Sequence, residues 1–400
     1  MKNNRVSRDA ESSERSAFAH NDPCAFGIGE SSGAPLRKAF PSRLNILSLK
    51  LSFRAPLRKA FASRLTILLL ALTFSIAHRS DAAEPTPEFT PKLLVAFSSV
   101  KERRAPPYPK VYFYEHDGVA NGRIVGSIDS IGTETNKSRA DMHPSLSRDG
   151  RFCTFSAQIG VTDGARIEVW DRTEKKLLAL PDINISTNVH QMSPSFSSDG
   201  KRMAFSAWNR PGGNPRWGVY LYDVDAKKLA DLPKLNGEIT DQRLPALSGD
   251  GKFLAYAFSG KGTVGLTDIY LYDLTAKTGI DLREMNSKHM EIQPALSADG
   301  RLIAFSSDRP GGTGVRDIYL YDRHDKKFQQ LPGMNSADHE QSPSLSADGR
   351  YIAFVSERRD GAGERDVYLF DRDRKKLLPT PGLNSKEDDF DPSLIVLPVR

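Results

Sequence analysis

Cysteine is scarce in this chain of 400 residues, which contains only Cys24 and Cys153. Two thiols cannot form the disulfide framework that stabilises many small secreted domains. Cys153 lies in "RFCTFS" at a position where related segments have alanine, as in "RLIAFS". A small apolar position in a strand predicts a buried and inert thiol rather than a reactive one.

A basic excess is absent from most of the chain, although its formal net charge is +6. Residues 1–83 contain 13 Lys and Arg against 6 Asp and Glu, whereas residues 84–400 contain 43 against 44. Nucleic-acid binding usually requires a basic face on the folded domain itself. We therefore expect no nucleic-acid partner.

Long hydrophobic runs are also missing, and the apolar region at residues 65–77, "LTILLLALTFSIA", is thirteen residues long. A helix of this length rises about 20 Å, short of the roughly 30 Å hydrocarbon core of a membrane. Arg64 before it and small residues near Ala82 and Ala83 after it are typical of a secretory signal peptide. The pattern predicts a leader over 1–83, cleaved so that no permanent membrane span remains, and a protein that is periplasmic or extracellular in a bacterium. A retained membrane anchor is the alternative.

Helical periodicity over three turns is absent from residues 91–398, where a fifteen-residue phrase recurs instead. Its copies are "HPSLSRDGRFCTFSA", "SPSFSSDGKRMAFSA", "LPALSGDGKFLAYAF", "QPALSADGRLIAFSS" and "SPSLSADGRYIAFVS". Their prolines, with that of the terminal "DPSLIVLP", are spaced by 49 to 51 residues and lie at 144, 194, 245, 294, 343 and 392. Self-similarity at this period is typical of a solenoid or a propeller.

Each period predicts four antiparallel strands, which we label A to D. Strands A and B flank an Asp-Gly pair, for which we expect a two-residue turn with positive φ at both residues. Strand C is a run such as "VYLYD" or "IYLYD", and a polar turn leads to a short strand D. The recurrent aspartates are expected to form turns rather than bind metal, so the face made by the A–B and C–D turns is expected to be mainly structural.

Residues 91–132 supply strands B, C and D but lack strand A, which "DPSLIVLP" near the C-terminus can provide. We therefore predict an all-β fold, a six-bladed β-propeller over residues 84–400, closed by the C-terminal strand completing the N-terminal blade. Closure protects sheet edges that an open array would expose. A β-solenoid is the alternative, but it would not need a terminal half-repeat.

The segments "PSLSADGRYIAFVS" and "RDVYLFD" resemble the TolB-type, WD-like β-propeller repeat of bacterial envelope proteins. The resemblance extends over about residues 91–398. It implies a six-bladed propeller in an exported protein.

The opposite face, made by the B–C loops and the D–A connectors, diverges most between copies and is the expected location of function. The B–C loops sum to a formal charge of +7 and the connectors to −6. This predicts a polar, acidic channel mouth within a more basic rim. A ring of acceptors at the mouth is expected from the residues three positions before the prolines: Asp141, Gln191, Gln242, Glu291, Glu340 and Asp389.

Rim residues with aromatic or guanidinium groups complete the candidate ligand-binding set: Trp208, Arg210, Trp217, Arg316 and Arg365. Exposed aromatics beside hydrogen-bond donors suit a sugar ring or a protein hot spot, although they can also stiffen a loop by local packing. Four histidines share the connectors and are weaker candidates for metal binding: His143, His190, His289 and His339. Solvated or hydrogen-bonded loop histidines are the favoured interpretation.

The leading hypothesis is a monomeric, non-catalytic propeller that recognises an envelope protein or a glycan through its loop face, without a cofactor. A second hypothesis is a metal-dependent carbohydrate-active enzyme, because some polysaccharide lyases resemble propellers with His and Gln metal ligands at the channel mouth. Its site would comprise His190, Gln191, His289 and His339, and its metal would acidify a proton beside a uronate carboxylate. A third hypothesis is a structural domain of a larger envelope assembly.

Overall fold

A computed structural model describes residues 91–101, 108–128, 139–160, 164–186, 188–212, 216–232, 235 and 241–398. The predicted leader at 1–83, with its apolar region at 65–77, lies outside these residues. The described residues form 24 β-strands and contain no helix. No segment among them is therefore a helix able to cross a membrane.

Six antiparallel sheets of four strands form a closed ring of blades. The first blade contains β1 (Leu93–Ser99), β2 (Lys110–His116) and β3 (Gly122–Ser127), and its inner strand is β24 (Asp389–Val396). The second and third blades contain β4 (Arg139–Leu146), β5 (Phe152–Ile159), β6 (Arg166–Asp171), β7 (Lys176–Leu177), β8 (His190–Phe196), β9 (Arg202–Trp208), β10 (Trp217–Asp223) and β11 (Lys228–Leu229). The fourth contains β12 (Asp241–Leu247), β13 (Phe253–Ser259), β14 (Asp268–Asp273) and β15 (Thr278–Ile280). The last two contain β16 (Glu291–Leu296), β17 (Leu302–Ser307), β18 (Asp317–Asp322), β19 (Lys327–Gln329), β20 (Glu340–Leu345), β21 (Tyr351–Ser356), β22 (Asp366–Asp371) and β23 (Lys376–Leu378).

The predicted closure is confirmed, because β24 pairs antiparallel with β1 from Leu93 opposite Val396 to Ser99 opposite Asp389. The apolar core is divided into six clusters, each shared by two neighbouring blades. In the cluster between the last and first blades, Val95 and Phe97 of β1 pack with Ala353 of β21 and Leu394 of β24. Burial of apolar surface therefore stabilises the ring as a whole rather than each sheet alone.

The A–B turns form as predicted, but their backbone geometry differs from the expected one. Gly150 has a φ of 69°, whereas Asp149 is not in the positive-φ region. The Asp149 carboxylate instead accepts hydrogen bonds from the Ser147 hydroxyl at 2.7 Å and the Arg151 amide at 2.9 Å. These side-chain bonds hold the aspartate in an ordinary turn conformation, so only the glycine needs the left-handed region.

Each inner strand contains a β-bulge that comprises its proline and the residue before it. The residue before the proline has a φ between 51° and 54° although none of the six is glycine: His143, Ser193, Leu244, Gln293, Ser342 and Asp391. This conformation is strained for such residues. It turns the Ser193 amide toward the Ser156 hydroxyl of the preceding blade at 3.1 Å and the Leu244 amide toward the Ser206 hydroxyl at 3.1 Å. Hydrogen bonds between blades thus offset part of the strain.

Cys153 is fully buried in β5, and burial raises the pKa of its thiol to about 12. The thiol is therefore protonated at neutral pH and shielded from solvent. This placement confirms the prediction of a buried strand residue.

His116, at the end of β2, links the two blades that meet at the closure. One ring nitrogen, Nε2, lies 2.8 Å from the Pro379 carbonyl oxygen, and the other, Nδ1, accepts a hydrogen bond from the Gly118 amide. The ring is buried, and this burial lowers the pKa of His116 below its ordinary value of 6.5, against smaller opposing effects of the Pro379 carbonyl and Asp117. Protonation would remove the acceptor that Gly118 uses.

We expect the stability of the protein to fall below pH 6.5, and His116→Gln to weaken that dependence. The folded pKa lies below the unfolded one, so the stability is fully present above pH 6.5 and is lost as the pH falls toward the folded pKa. One such group contributes at most about 1.4 kcal/mol per pH unit. Urea unfolding at neutral and mildly acidic pH measures the slope, with exposed His324→Gln as the matched control. An unchanged slope in His116→Gln would contradict this assignment.

Candidate functional site

The predicted ring of acceptors lies at the beginning of the six inner strands, as the proline spacing indicated. In five of the six, the backbone amide donates a 2.8 Å hydrogen bond to the carbonyl of the residue that precedes strand C in the previous blade. Glu291 bonds to Thr267 in this way, and Glu340 bonds to Arg316. At these five positions, the end of a B–C loop is thus hydrogen-bonded to the beginning of the inner strand of the next blade.

The ring side chains are buried, with at most 3% of their surface exposed. The Glu291 carboxylate accepts hydrogen bonds from the Ser287 amide and hydroxyl, from the Ser307 hydroxyl and from Arg309 at 2.9 Å. The side-chain amide of Gln191 donates to the Ile183 carbonyl at 3.0 Å. The Glu291 carboxylate thus joins its connector to the B–C loop of the same blade, whereas the Gln191 amide binds its connector. Direct ligand contact by them remains a prediction that such burial does not favour.

Glu340 repeats the arrangement of Glu291 in the sixth blade, with Ser336 and Ser356 as its serine partners. Arg358 approaches its carboxylate at 3.7 Å and donates to the Met334 carbonyl at 2.9 Å. In the first blade, Asp389 accepts from the Ser385 amide, and burial raises the pKa of its carboxyl group. In the fourth, Gln242 donates to the Leu235 carbonyl.

The second blade departs from this arrangement in two coupled positions. Glu168 occupies the place in strand C where other blades have tyrosine, and Arg139 of the inner strand binds both Glu168 and Asp141. All three side chains are buried. Burial raises the pKa of Asp141 to about 6, although Arg139 opposes that shift. A cation from the inner strand thus compensates a carboxylate that the other blades lack.

Arg210 was predicted as a ligand-binding residue of the rim, and the structure places it among buried residues. Its side chain is buried, donates to the Ile183 carbonyl at 3.0 Å and to the Asp182 carbonyl, and lies over the Tyr220 ring. Arg309 and Arg358 bind connector carbonyls from the corresponding loop position. The difference arises because a buried connector carbonyl needs a donor, which a sequence pattern of loop arginines does not reveal.

The four connector histidines do not converge on a common point. His143 lies 3.6 Å from Asp391, whereas His190 packs edge-on against Trp208 with ring centroids 5.8 Å apart. Burial lowers the pKa of His190. At the fifth and sixth blades, the backbone carbonyls of His289 and His339 accept hydrogen bonds from the amides of Leu266 and Glu357. Within the described ranges, no three His, Cys, Asp or Glu side chains are grouped so that they could hold a metal ion.

Basic residues of the B–C loops form ion pairs with acidic residues of the connectors. Arg365 binds Asp388 at 2.9 Å and stacks on the Phe390 ring at 4.6 Å. Arg216 lies 3.9 Å from Asp241. The predicted basic rim and acidic mouth therefore neutralise each other in part.

Trp208 and Trp217 are paired directly across β9 and β10. Trp208 is 39% exposed, at the end of β9 that leads into the loop face. The guanidinium of Arg243, in the next blade, lies 5.1 Å from the Trp217 ring centroid. One indole thus offers apolar surface to solvent, while the face of the other is capped by a cation.

The B–C loops of the next two blades carry three further exposed apolar side chains that the sequence reasoning missed: Val264, Leu266 and Val315. Leu266 is 70% exposed and Val315 58%, and both immediately precede the residue that leads into strand C. Their position in glycine-rich loops could have predicted this exposure, because an apolar side chain in such a loop lies away from the packed strands. We call Trp208, Val264, Leu266 and Val315 the apolar loop patch.

Buried aspartates bind the backbone of the two loops that carry Val264, Leu266 and Val315. Asp268 accepts hydrogen bonds from the amides of Val264 at 2.6 Å and Gly265 at 3.0 Å. Asp317 binds the amides of Thr313 and Gly314 in the same way. Burial raises the pKa of both carboxyl groups, although the amide hydrogen bonds oppose this shift. Ordering of the loops before binding reduces the entropy that a complex would lose.

These features define a closed six-bladed β-propeller with a partly apolar loop face. The family described as the TolB beta propeller domain matches residues 182–393, and the chain belongs to that family. A search of curated proteins found no match.

Solved structures share the fold at low sequence identity. TolB from Acinetobacter baumannii is 19% identical, with a TM-score of 0.52 over 76% of this chain and 67% of that chain. Hydrazine synthase from Kuenenia stuttgartiensis is 13% identical, with a TM-score of 0.50 over 76% of this chain and 46% of that chain. Oligogalacturonate lyase from Vibrio parahaemolyticus is 13% identical, with a TM-score of 0.44 over 71% of this chain and 78% of that chain. The likeness to the first two concerns the fold alone.

Proposed function

We propose that the protein is an exported, non-enzymatic propeller that binds a partner protein through its loop face. Membership of the TolB beta propeller family supports a protein-binding module. The apolar loop patch carries the proposal, because exposed apolar side chains on one face of three consecutive blades are typical of a protein-binding surface. Export to the periplasm or the cell exterior is supported by the signal-like pattern at 65–77, which predicts a mature chain beginning near residue 84.

The surroundings of the tryptophan rings favour a protein partner over a glycan. A sugar ring stacks on an open aromatic face, whereas the face of Trp217 is capped by Arg243. Aliphatic side chains such as Leu266 and Val315 suit apolar side chains of another protein better than sugar hydroxyls. Ion pairs on the same face, such as Arg365 with Asp388, would contribute to the polar rim of such an interface.

A photo-crosslinking amino acid at position 266 is expected to capture a discrete partner in cells, while the same group at position 124 captures none. Ile124 is also an exposed apolar residue, but it lies on β3 at the outer edge of the first blade. Leu266→Glu combined with Val315→Glu should weaken binding of the captured partner at least tenfold, because each hot-spot residue contributes about 1 to 2 kcal/mol. Ile124→Glu is the matched control. Equal capture at both positions, or unchanged affinity of the double variant, would refute a loop-face interface.

A further inference from the structure

The central channel contains a cavity of about 190 Å³ on the side of the A–B turns, away from the loop face. Its wall repeats one motif six times, a proline followed by serine or alanine and then leucine or phenylalanine. Towards the loop face, the residues before the prolines bring neighbouring blades into contact, as in the 2.9 Å hydrogen bond between Gln293 and Ser342. The cavity therefore lies between this contact level and the turns.

The cavity wall is polar on one side and apolar on the other. Four consecutive blades contribute serines to it, namely Ser344, Ser393, Ser145 and Ser195, and the remaining two contribute Ala246 and Ala295. The four serines are therefore adjacent around the channel, and the two alanines are adjacent on the opposite side, rather than alternating with serines. A ligand of matching shape would thus meet hydroxyl groups along one edge and methyl groups along the other.

The serine hydroxyls have hydrogen-bonding capacity left for a ligand. Each oxygen accepts one bond from a backbone amide of the next blade, for example Ser145 from Phe196 and Ser344 from Leu394, at 2.9–3.0 Å. A hydroxyl group also carries one proton that it can donate. No described residue accepts that proton from any of the four. They can therefore act as donors toward acceptor oxygens in the cavity.

The charged residues of the cavity wall indicate which ligand charge the cavity favours. Among the described residues that line the cavity, Arg148 is the one charged residue and none is Asp or Glu. Donor hydroxyls and a nearby guanidinium favour an oxyanion, whereas the six prolines and the two alanines favour a short apolar group. The proline rings also make the wall rigid before any ligand enters.

We propose that this cavity binds a carboxylate attached to a short apolar chain, with its oxygens toward the serines and its chain toward Ala246 and Ala295. This chemistry has two sources, a free short-chain acid and the C-terminal carboxylate of a peptide that ends in small apolar residues. The site is distinct from the apolar loop patch, so it does not depend on the proposed protein-binding function.

Titration calorimetry of the full chain with butyrate, with butyramide and with the peptide Gly-Ala-Val tests this proposal. We expect saturable butyrate binding with a Kd of about 1 mM or below. Ser145→Ala combined with Ser344→Ala should weaken it about tenfold, because two donated hydrogen bonds are lost. Alanine at the equivalent positions 246 and 295 shows that the fold accepts this residue there. Arg148→Gln, at an exposed site, should weaken butyrate more than butyramide.

The peptide distinguishes the two sources. Tighter binding of Gly-Ala-Val than of its C-terminal amide and of butyrate would identify a chain terminus as the ligand, and binding of butyrate alone would identify a free acid. Either result supports a carboxylate site. No saturable binding of butyrate or the peptide, or affinities unchanged in the folded serine and Arg148 variants, would overturn the proposal.

Discussion

Removal of residues 389–400 is expected to abolish cooperative folding of the propeller or to lower its stability by about 5 kcal/mol or more. The deletion takes away β24, the only described partner of the inner edge of β1. It also removes Leu394 from the cluster that joins the last and first blades, a loss that alone costs about 2 to 5 kcal/mol. Since natural proteins are stable by only about 5 to 15 kcal/mol, most of the available stability would be lost.

Chain truncation after Pro398 is the control for this experiment, because β24 ends at Val396. Circular dichroism during urea unfolding measures both variants, and addition of a peptide comprising residues 389–398 should restore part of the lost stability. A truncated chain that unfolds with the same midpoint as the control would show that ring closure by β24 is dispensable.

Replacement of Glu340 by alanine is expected to destabilise the protein by about 3 kcal/mol or more. The fully buried carboxylate accepts hydrogen bonds from the Ser336 amide and hydroxyl and from the Ser356 hydroxyl. Arg358, 3.7 Å away, would be left as a largely buried cation without this carboxylate. Loss of one partner from such a buried group leaves the others unsatisfied, which costs more than the intact interactions contribute.

Glu340→Gln provides a graded comparison, because glutamine occurs naturally at the equivalent positions 191 and 242. It should cost less than alanine, since the amide oxygen still accepts hydrogen bonds while the negative charge is lost. Exposed Glu364→Ala, on the B–C loop of the same blade, controls for the removal of a carboxylate from the loop face. The free energy of unfolding, measured by urea titration, should be lowest for Glu340→Ala, higher for Glu340→Gln and highest for the control Glu364→Ala. A Glu340→Ala protein as stable as Glu364→Ala would show that this carboxylate does not hold the blade together.

The repeat made the architecture predictable because each period contains its own strand and turn signals. The positions of β1, the Asp-Gly turns, the burial of Cys153 and the closure by "DPSLIVLP" all followed from local patterns compared between copies. The pre-proline bulge was not predicted. Its six residues differ in type, and their left-handed conformation depends on hydrogen bonds to the neighbouring blade, such as that from Ser193 to Ser156.

The functional face was less predictable for a related reason. The position of the ring from Asp141 to Asp389 followed from the proline spacing, but its burial results from connectors that fold over it, through partners such as Ser287 and Ser336. The exposure of Leu266 depends likewise on how Asp268 folds the loop. A single sequence indicates which residue types are present in a loop, whereas their exposure depends on contacts between loops and connectors.

The pairing of β24 with β1 also places a constraint on the time course of folding. The two strands that close the ring are separated by almost the whole propeller sequence, so the first blade lacks its inner strand until the last repeat has been synthesised. Until then, one face of the cluster containing Val95 and Phe97 has no partner strand. Such a late closing step keeps the nascent chain from reaching its final folded state before synthesis of the last repeat is complete.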